Sequence, residues 1–229
     1  MACVCLLIAA LLVTTTYAQT VAQQCLTEQF RITNSNTSPN TPEGTTMAAF
    51  DSICRNYENY VTCFQTHLPA SNIPADRFLL LVFSRPDMER AYRGLCTNDL
   101  ENLRRNIRCV VSTPAVRACY NTFNQGVDQI VNLQAQNRVP RETLQTLACN
   151  VTVTRYHCEI DIYSRCDARA GQTMQDFFFA TLPGECRRAT GVTSRYVAVF
   201  NGGNVHGEKL WSSLVNPLIL TVLVFVWKM

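Results

Sequence analysis

Two pairs of cysteines, each nine residues apart, constrain this chain more than any other feature: Cys54 with Cys63, and Cys149 with Cys158. Around the first pair the apolar residues Phe50, Ile53, Cys54, Tyr57, Val61, Phe64 and Leu68 recur at steps of three and four, the period of one helix face. Nine residues at about 100° each carry a helix through about two and a half turns. The two sulfurs of a pair therefore leave opposite sides of the helix. They cannot bond each other, because a disulfide brings its Cα atoms within about 7 Å. Each must reach a different neighbouring element. The expected fold is all-α: a disulfide-stapled helical bundle cross-linked through two central helices.

The ends of the chain set its compartment. Residues 1–18, MACVCLLIAALLVTTTYA, read as a secretory signal peptide, with an apolar run from Val4 to Val13 and a small-x-small cleavage site at Thr16-Tyr17-Ala18. No basic residue precedes the run, which a typical signal would have; the rival reading, an N-terminal membrane anchor, needs a longer apolar stretch. Of twelve cysteines, Cys3 and Cys5 leave with the signal. An even set remains: Cys25, Cys54, Cys63, Cys96, Cys109, Cys119, Cys149, Cys158, Cys166 and Cys186. Such a set behind a signal peptide predicts a disulfide framework formed in an oxidising compartment. Its pairing is open at this point, since ten cysteines allow about a thousand combinations by extension of the count for eight.

At the other end, Asn201-Gly202-Gly203 is a small-residue triplet, followed by the polar spacer NVHGEKLWSS and an apolar tail from Leu214 to Trp227. That order is the signal for a GPI anchor, with Asn201 as attachment site and residues 202–229 as the discarded propeptide. Asn204 and Ser212 are alternatives with poorer spacing. The rivals are a short transmembrane span and a secreted protein with an apolar tail. Against a span, the tail falls short of the roughly 20 residues needed, contains Pro217, and is followed only by Lys228-Met229.

The mature ectodomain is then 19–201. Both lysines, Lys209 and Lys228, lie in the tail, so every basic residue of the ectodomain is an arginine. Arginines and acids nearly balance there. Neither that balance nor the compartment suits a nucleic-acid partner. Asn36-Thr37-Ser38 and Asn150-Val151-Thr152 are N-glycosylation acceptors at Asn36 and Asn150, the first in a polar loop at 33–46.

Periodicity and prolines divide the rest. Helices are expected over about 45–68, 75–83, resuming at 88 after Pro86, then 100–110, 114–136, 140–167 and 172–182, with Asn98 or Asp99 capping the helix that begins at Leu100. Val151-Thr152-Val153-Thr154 and Ile160-Asp161-Ile162 alternate locally like strands, but the three/four spacing from Leu144 to Ile162 outweighs them. Residues 187–200 read as an extended stalk or docked strand. Cys25, Cys54, Cys63 and Cys96 map onto Cys119, Cys149, Cys158 and Cys186 at nearly constant offsets, and FLLLVFSRP and FFFATLP occupy corresponding places. Residues 25–96 and 119–186 therefore read as two repeats of one helical unit, with Cys109 and Cys166 outside the pattern.

Motifs for catalysis are missing: no G-x-S-x-G elbow, H-E-x-x-H, P-loop or glycine-rich dinucleotide turn. His157, Glu159 and Asp161 do not share a helix face and read as surface polar residues. No Cys pair has zinc-finger spacing. Arg104, Arg105 and Arg108 read as a solvated helix face, and Phe177, Phe178 and Phe179 as core rather than the lining of a ligand cavity. Neither cofactor nor metal is expected. The C-x₈-C helices, as in CRNYENYVTC, resemble those of helical cysteine-rich extracellular proteins of invertebrate animals, some of them membrane-anchored. The resemblance implies neither an activity nor a site residue. The expected function is that of a non-enzymatic, GPI-anchored cell-surface glycoprotein that binds an extracellular protein or glycan; the alternative is a carrier of a small hydrophobic ligand.

Overall fold

A computed structural model describes residues 19–32 and 41–194. Among these residues the chain is helical, without strands, and five disulfides link its helices. In order they are α1 (Val21–Ile32), α2 (Pro42–Arg55), α3 (Tyr57–His67), α4 (Pro74–Val82), α5 (Arg85–Gly94), α6 (Leu100–Ser112), α7 (Pro114–Ala135), α8 (Arg141–Cys166), α9 (Ala168–Thr181) and α10 (Gly184–Thr190). The expected signal segment 1–18, the expected acceptor Asn36 and the expected anchor site Asn201 lie outside the described residues.

Prolines stand at the start of several helices, as expected of a residue whose missing N–H costs nothing in a first turn. Pro42, Pro74 and Pro114 each open one, and Pro140 and Pro183 stand just before α8 and α10. α8 is the central rod. Its buried residues, among them Leu144, Cys149, Val153, Ile160 and Tyr163, spread over about half of its circumference, while Thr146, Asn150, Thr154 and Asp161 on the opposite half are exposed. It packs against α4, α6, α7, α9 and α10. Two close approaches are possible only because a side chain is missing. A Cβ on Gly126 would stand 2.8 Å from the methyls of Val151, and one on Gly171 would stand 2.8 Å from Ser164 Cα.

Several expectations need correction. The predicted single helix over 45–68 is two helices broken at Asn56. The Asn56 backbone leaves the helical region (φ −158°, ψ 67°) and its side-chain oxygen accepts the N–H of Asn59 at 3.2 Å, capping α3. Gln29, fully buried on α1, donates to the carbonyls of Ser52 and Asn56 at 3.3 and 2.9 Å, satisfying acceptors at the break. Asp99 makes no side-chain cap; a five-residue π-turn, Leu95–Asp99, carries α5 into α6. α9 begins at Ala168, four residues before the expected start, because the Asp167 carboxylate caps it through the N–H of Ala170 at 2.9 Å. The expected stalk or strand at 187–200 begins as the last part of α10, closed by Gly191 in the left-handed region (φ 71°), and Val192 behind it is fully buried. The segments that alternate like strands, 151–154 and 160–162, are helical.

The two halves interlock. Phe78 and Leu81 of α4 sit with Phe123, Val127 and Ile130 of α7 and Leu144 and Ala148 of α8, so a first-half helix completes a second-half core. In return α9 packs on α5. A run of ring contacts ties the halves together. Phe64 meets Tyr60 at 5.1 Å, Tyr60 meets Tyr92 at 5.7 Å, Tyr92 meets Phe177 at 5.3 Å, and Phe178 stacks on Tyr156 at 4.3 Å.

Candidate functional site

The cysteines predicted from parity are all bridged, and the open pairing is resolved. Cys25 bonds Cys63 and Cys54 bonds Cys96; Cys119 bonds Cys158 and Cys149 bonds Cys186; Cys109 bonds Cys166. The sulfurs of each nine-residue pair do go to different elements. Cys63 reaches α1 and Cys54 the π-turn after α5, while Cys158 reaches α7 and Cys149 reaches α10. Within each half the first cysteine joins the third and the second joins the fourth. The remaining bridge, Cys109–Cys166, fastens α6 to the end of α8, and Cys109 is solvent-exposed whereas Cys25, Cys119, Cys149 and Cys186 are buried.

The polar constellation that sequence reasoning missed is built around Arg155. Its guanidinium lies 4.6 Å from the ring centre of Phe123 and 5.4 Å from that of Tyr120, and it pairs with Glu159 one turn along α8 at 2.6 Å. Burial works to lower the Arg155 pKa, but the nearby Glu159 and Tyr120 oxygens outweigh it and hold the guanidinium above its ordinary value. Tyr120 and Tyr163 are pushed upward in turn, first by burial and then by the Glu159 charge. All these side chains are committed to one another: a cation on two aromatic faces, neutralised by a carboxylate. Glu159 is therefore buried rather than the surface residue expected, and the signal was Arg155 four residues earlier. His157 is half-buried, and Asp161 pairs on the surface with Arg165 at 2.6 Å.

Two further clusters offer chemistry on paper. Ligand atoms of Glu28, Cys63 and His67 lie within 4.8 Å of one another on α1 and α3. The Cys63 sulfur is bonded to Cys25, so it has neither a proton to give Glu28 nor a thiolate to give a metal. Asp76, with no exposure to solvent, receives the Val21 N–H on both carboxylate oxygens at 3.2 and 3.1 Å and the Ser71 hydroxyl at 2.6 Å, which pins the start of α1 to α4. Arg104 pairs with Asp51 at 2.6 Å and Arg105 with Glu101 at 3.4 Å, both at the surface, as a solvated face should. Phe177 and Phe178 belong to the ring contacts above, and Phe179 lies 5.3 Å beneath the Arg187 guanidinium. Asn150 is exposed on α8, while Thr152 of the same acceptor is buried.

No family model matches this chain, and neither a curated protein nor a solved structure matches it significantly. Five disulfides fit an extracellular or secreted protein, and no described helix is long and apolar enough to cross a membrane.

Proposed function

We propose that the chain is a non-enzymatic, GPI-anchored extracellular glycoprotein whose ectodomain presents a stapled helical surface to a protein or glycan partner at the cell surface. The observation that carries this reading is the state of the ten ectodomain cysteines, all of them paired. Bridges of that number form and persist outside the cytosol. The buried charged groups support a binding scaffold, because they serve the fold. Asp76 holds α1, Glu159 neutralises Arg155, and Asp87 receives Ser84 and Arg90. The small-residue triplet at Asn201 with its spacer and apolar tail supports the anchor, and the exposure of Asn150 within its acceptor motif supports the glycan.

Phosphatidylinositol-specific phospholipase C tests the reading on intact cells. The expected result is release of the ectodomain into the medium, with a C-terminal peptide ending at Asn201 and bearing ethanolamine phosphate. An uncut chain whose Met229 is reached only from the cytoplasm contradicts the anchor.

A further inference from the structure

We propose that Gln19 is the mature N-terminus and that it closes on itself to form pyroglutamate. The proposal rests on cleavage after Ala18. Behind that position Thr20 already caps a helix. The Thr20 N–H donates to Gln23 Oε1 at 2.9 Å while the Gln23 N–H donates to Thr20 Oγ1 at 3.3 Å, the reciprocal capping box of a helix start. The next N–H, that of Val21, is taken by buried Asp76. Thr20 is 4% exposed, whereas Gln19 is exposed. The folded body thus ends one residue from the scission and leaves Gln19 outside it, its carboxamide free to meet its own amine.

A terminal amine titrates near pH 8, so the neutral nucleophile is populated. In the closure the α-nitrogen bonds Cδ of its own side chain, the Cδ–Nε2 bond breaks, and Nε2 leaves as ammonia carrying the proton from the amine. The product is a neutral lactam, and neither oxidant nor reductant is needed. Because both lysines fall in the discarded tail, that amine is the last primary amine of the mature polypeptide. Closing it makes the ectodomain chain inert to aminopeptidases and to amine-directed reagents.

The experiment is amine labelling of the intact natural protein immediately on isolation, followed by reduction, cleavage after arginine and mass measurement of the N-terminal peptide. The expected peptide runs from Gln19 to Arg31, weighs one ammonia less than its composition, carries no label, and opens to labelling after pyroglutamyl aminopeptidase. A Gln19→Ala variant carried through the same steps should label at its N-terminus. A labelled Gln19 of full mass overturns the pyroglutamate while leaving the cleavage site intact. A peptide that begins at any other residue overturns both.

Discussion

The two halves of the bundle meet the same requirement with opposite chemistry. Aligned on their bridges, Tyr60 and Phe64 of α3 correspond to Arg155 and Glu159 of α8, and Gln29 of α1 corresponds to Phe123 of α7. In the first half that seam is filled by two rings in edge contact at 5.1 Å, with Gln29 serving the helix break behind them. In the second it is filled by an ion pair laid on an aromatic face. Asn56, which interrupts α2 and α3, corresponds to Val151 inside unbroken α8. The conserved element is the bridge geometry. Once Cys25–Cys63 and Cys119–Cys158 hold two helices together at Cα separations of 5.7 and 5.8 Å, what lies between them can be apolar or charged, provided that it fills the space and leaves no charge alone. The first-to-third and second-to-fourth pairing is common to both halves, and α4 inserts into the other half, so the halves are not independent bodies.

Complete reduction should have the largest effect, because it removes what the halves share. Each bridge closes a loop of 37 to 57 residues, worth about 4 kcal/mol in the chain-entropy view, against a typical total stability of about 5–15 kcal/mol. The cooperative melt followed by helical circular dichroism should disappear in excess reductant; a persisting cooperative transition would show that packing suffices. With limiting reductant, exposed Cys109–Cys166 should open first and leave both repeated pairs intact, as read by alkylation and peptide mass.

High pH should come next. Tyr60, Tyr92, Tyr120, Tyr156 and Tyr163 are all raised, in each case chiefly by burial. A tyrosine kept neutral in the folded chain retains its proton when the unfolded chain has lost it. Its contribution is therefore complete below about pH 10 and declines as pH climbs through the raised values, by up to about 1.4 kcal/mol per pH unit per group. Ultraviolet titration should show these five ionising together with alkaline unfolding rather than before it. Early ionisation of Tyr156 or Tyr163 alone would mean that the second half is looser than the first.

The ion pair offers the sharpest exchange between the halves. Glu159→Gln should cost about 3 kcal/mol by leaving Arg155 buried without a countercharge, measured by chemical denaturation. Arg155→Tyr with Glu159→Phe, which installs the residues of the first half, should recover most of that loss. A double variant no better than Glu159→Gln would show that the two seams are not interchangeable. The smallest effect belongs to the break: Asn56→Ala removes the α3 cap and should cost about 1 kcal/mol. An unchanged denaturation midpoint would mean that Gln29 alone holds the interruption.

Much of this architecture was legible from local rules. The parity of the ten cysteines from Cys25 to Cys186 anticipated full pairing, nine-residue spacing anticipated staples on two sides, and Pro74, Pro114 and Pro140 marked helix starts because their chemistry is local. The remainder depends on partners distant in sequence. The apolar period runs unbroken through Asn56, and the Gln29 carboxamide that serves the carbonyls at the break comes from α1. Glu159 looked like a surface residue because its near neighbours share no face with it, while its actual partner Arg155 is itself buried by α7. The expected helix ended at 182, yet Pro183 stands just before a short helix that carries Cys186 to Cys149. The choice among pairings needed the fold itself, since nothing along the chain says which side of α8 faces α7. Asn36 and Asn201, by contrast, rest on motif alone.

The most direct measurement is a disulfide map of the natural ectodomain. Cleavage after arginine, under denaturing conditions without reductant, places every one of the ten cysteines on a different peptide. The expected linked peptides join Cys25 to Cys63, Cys54 to Cys96, Cys119 to Cys158, Cys149 to Cys186 and Cys109 to Cys166. A peptide joining Cys54 to Cys63, any bridge running from the first set of four to the second, or an unpaired cysteine would contradict a bundle built from two equally stapled halves.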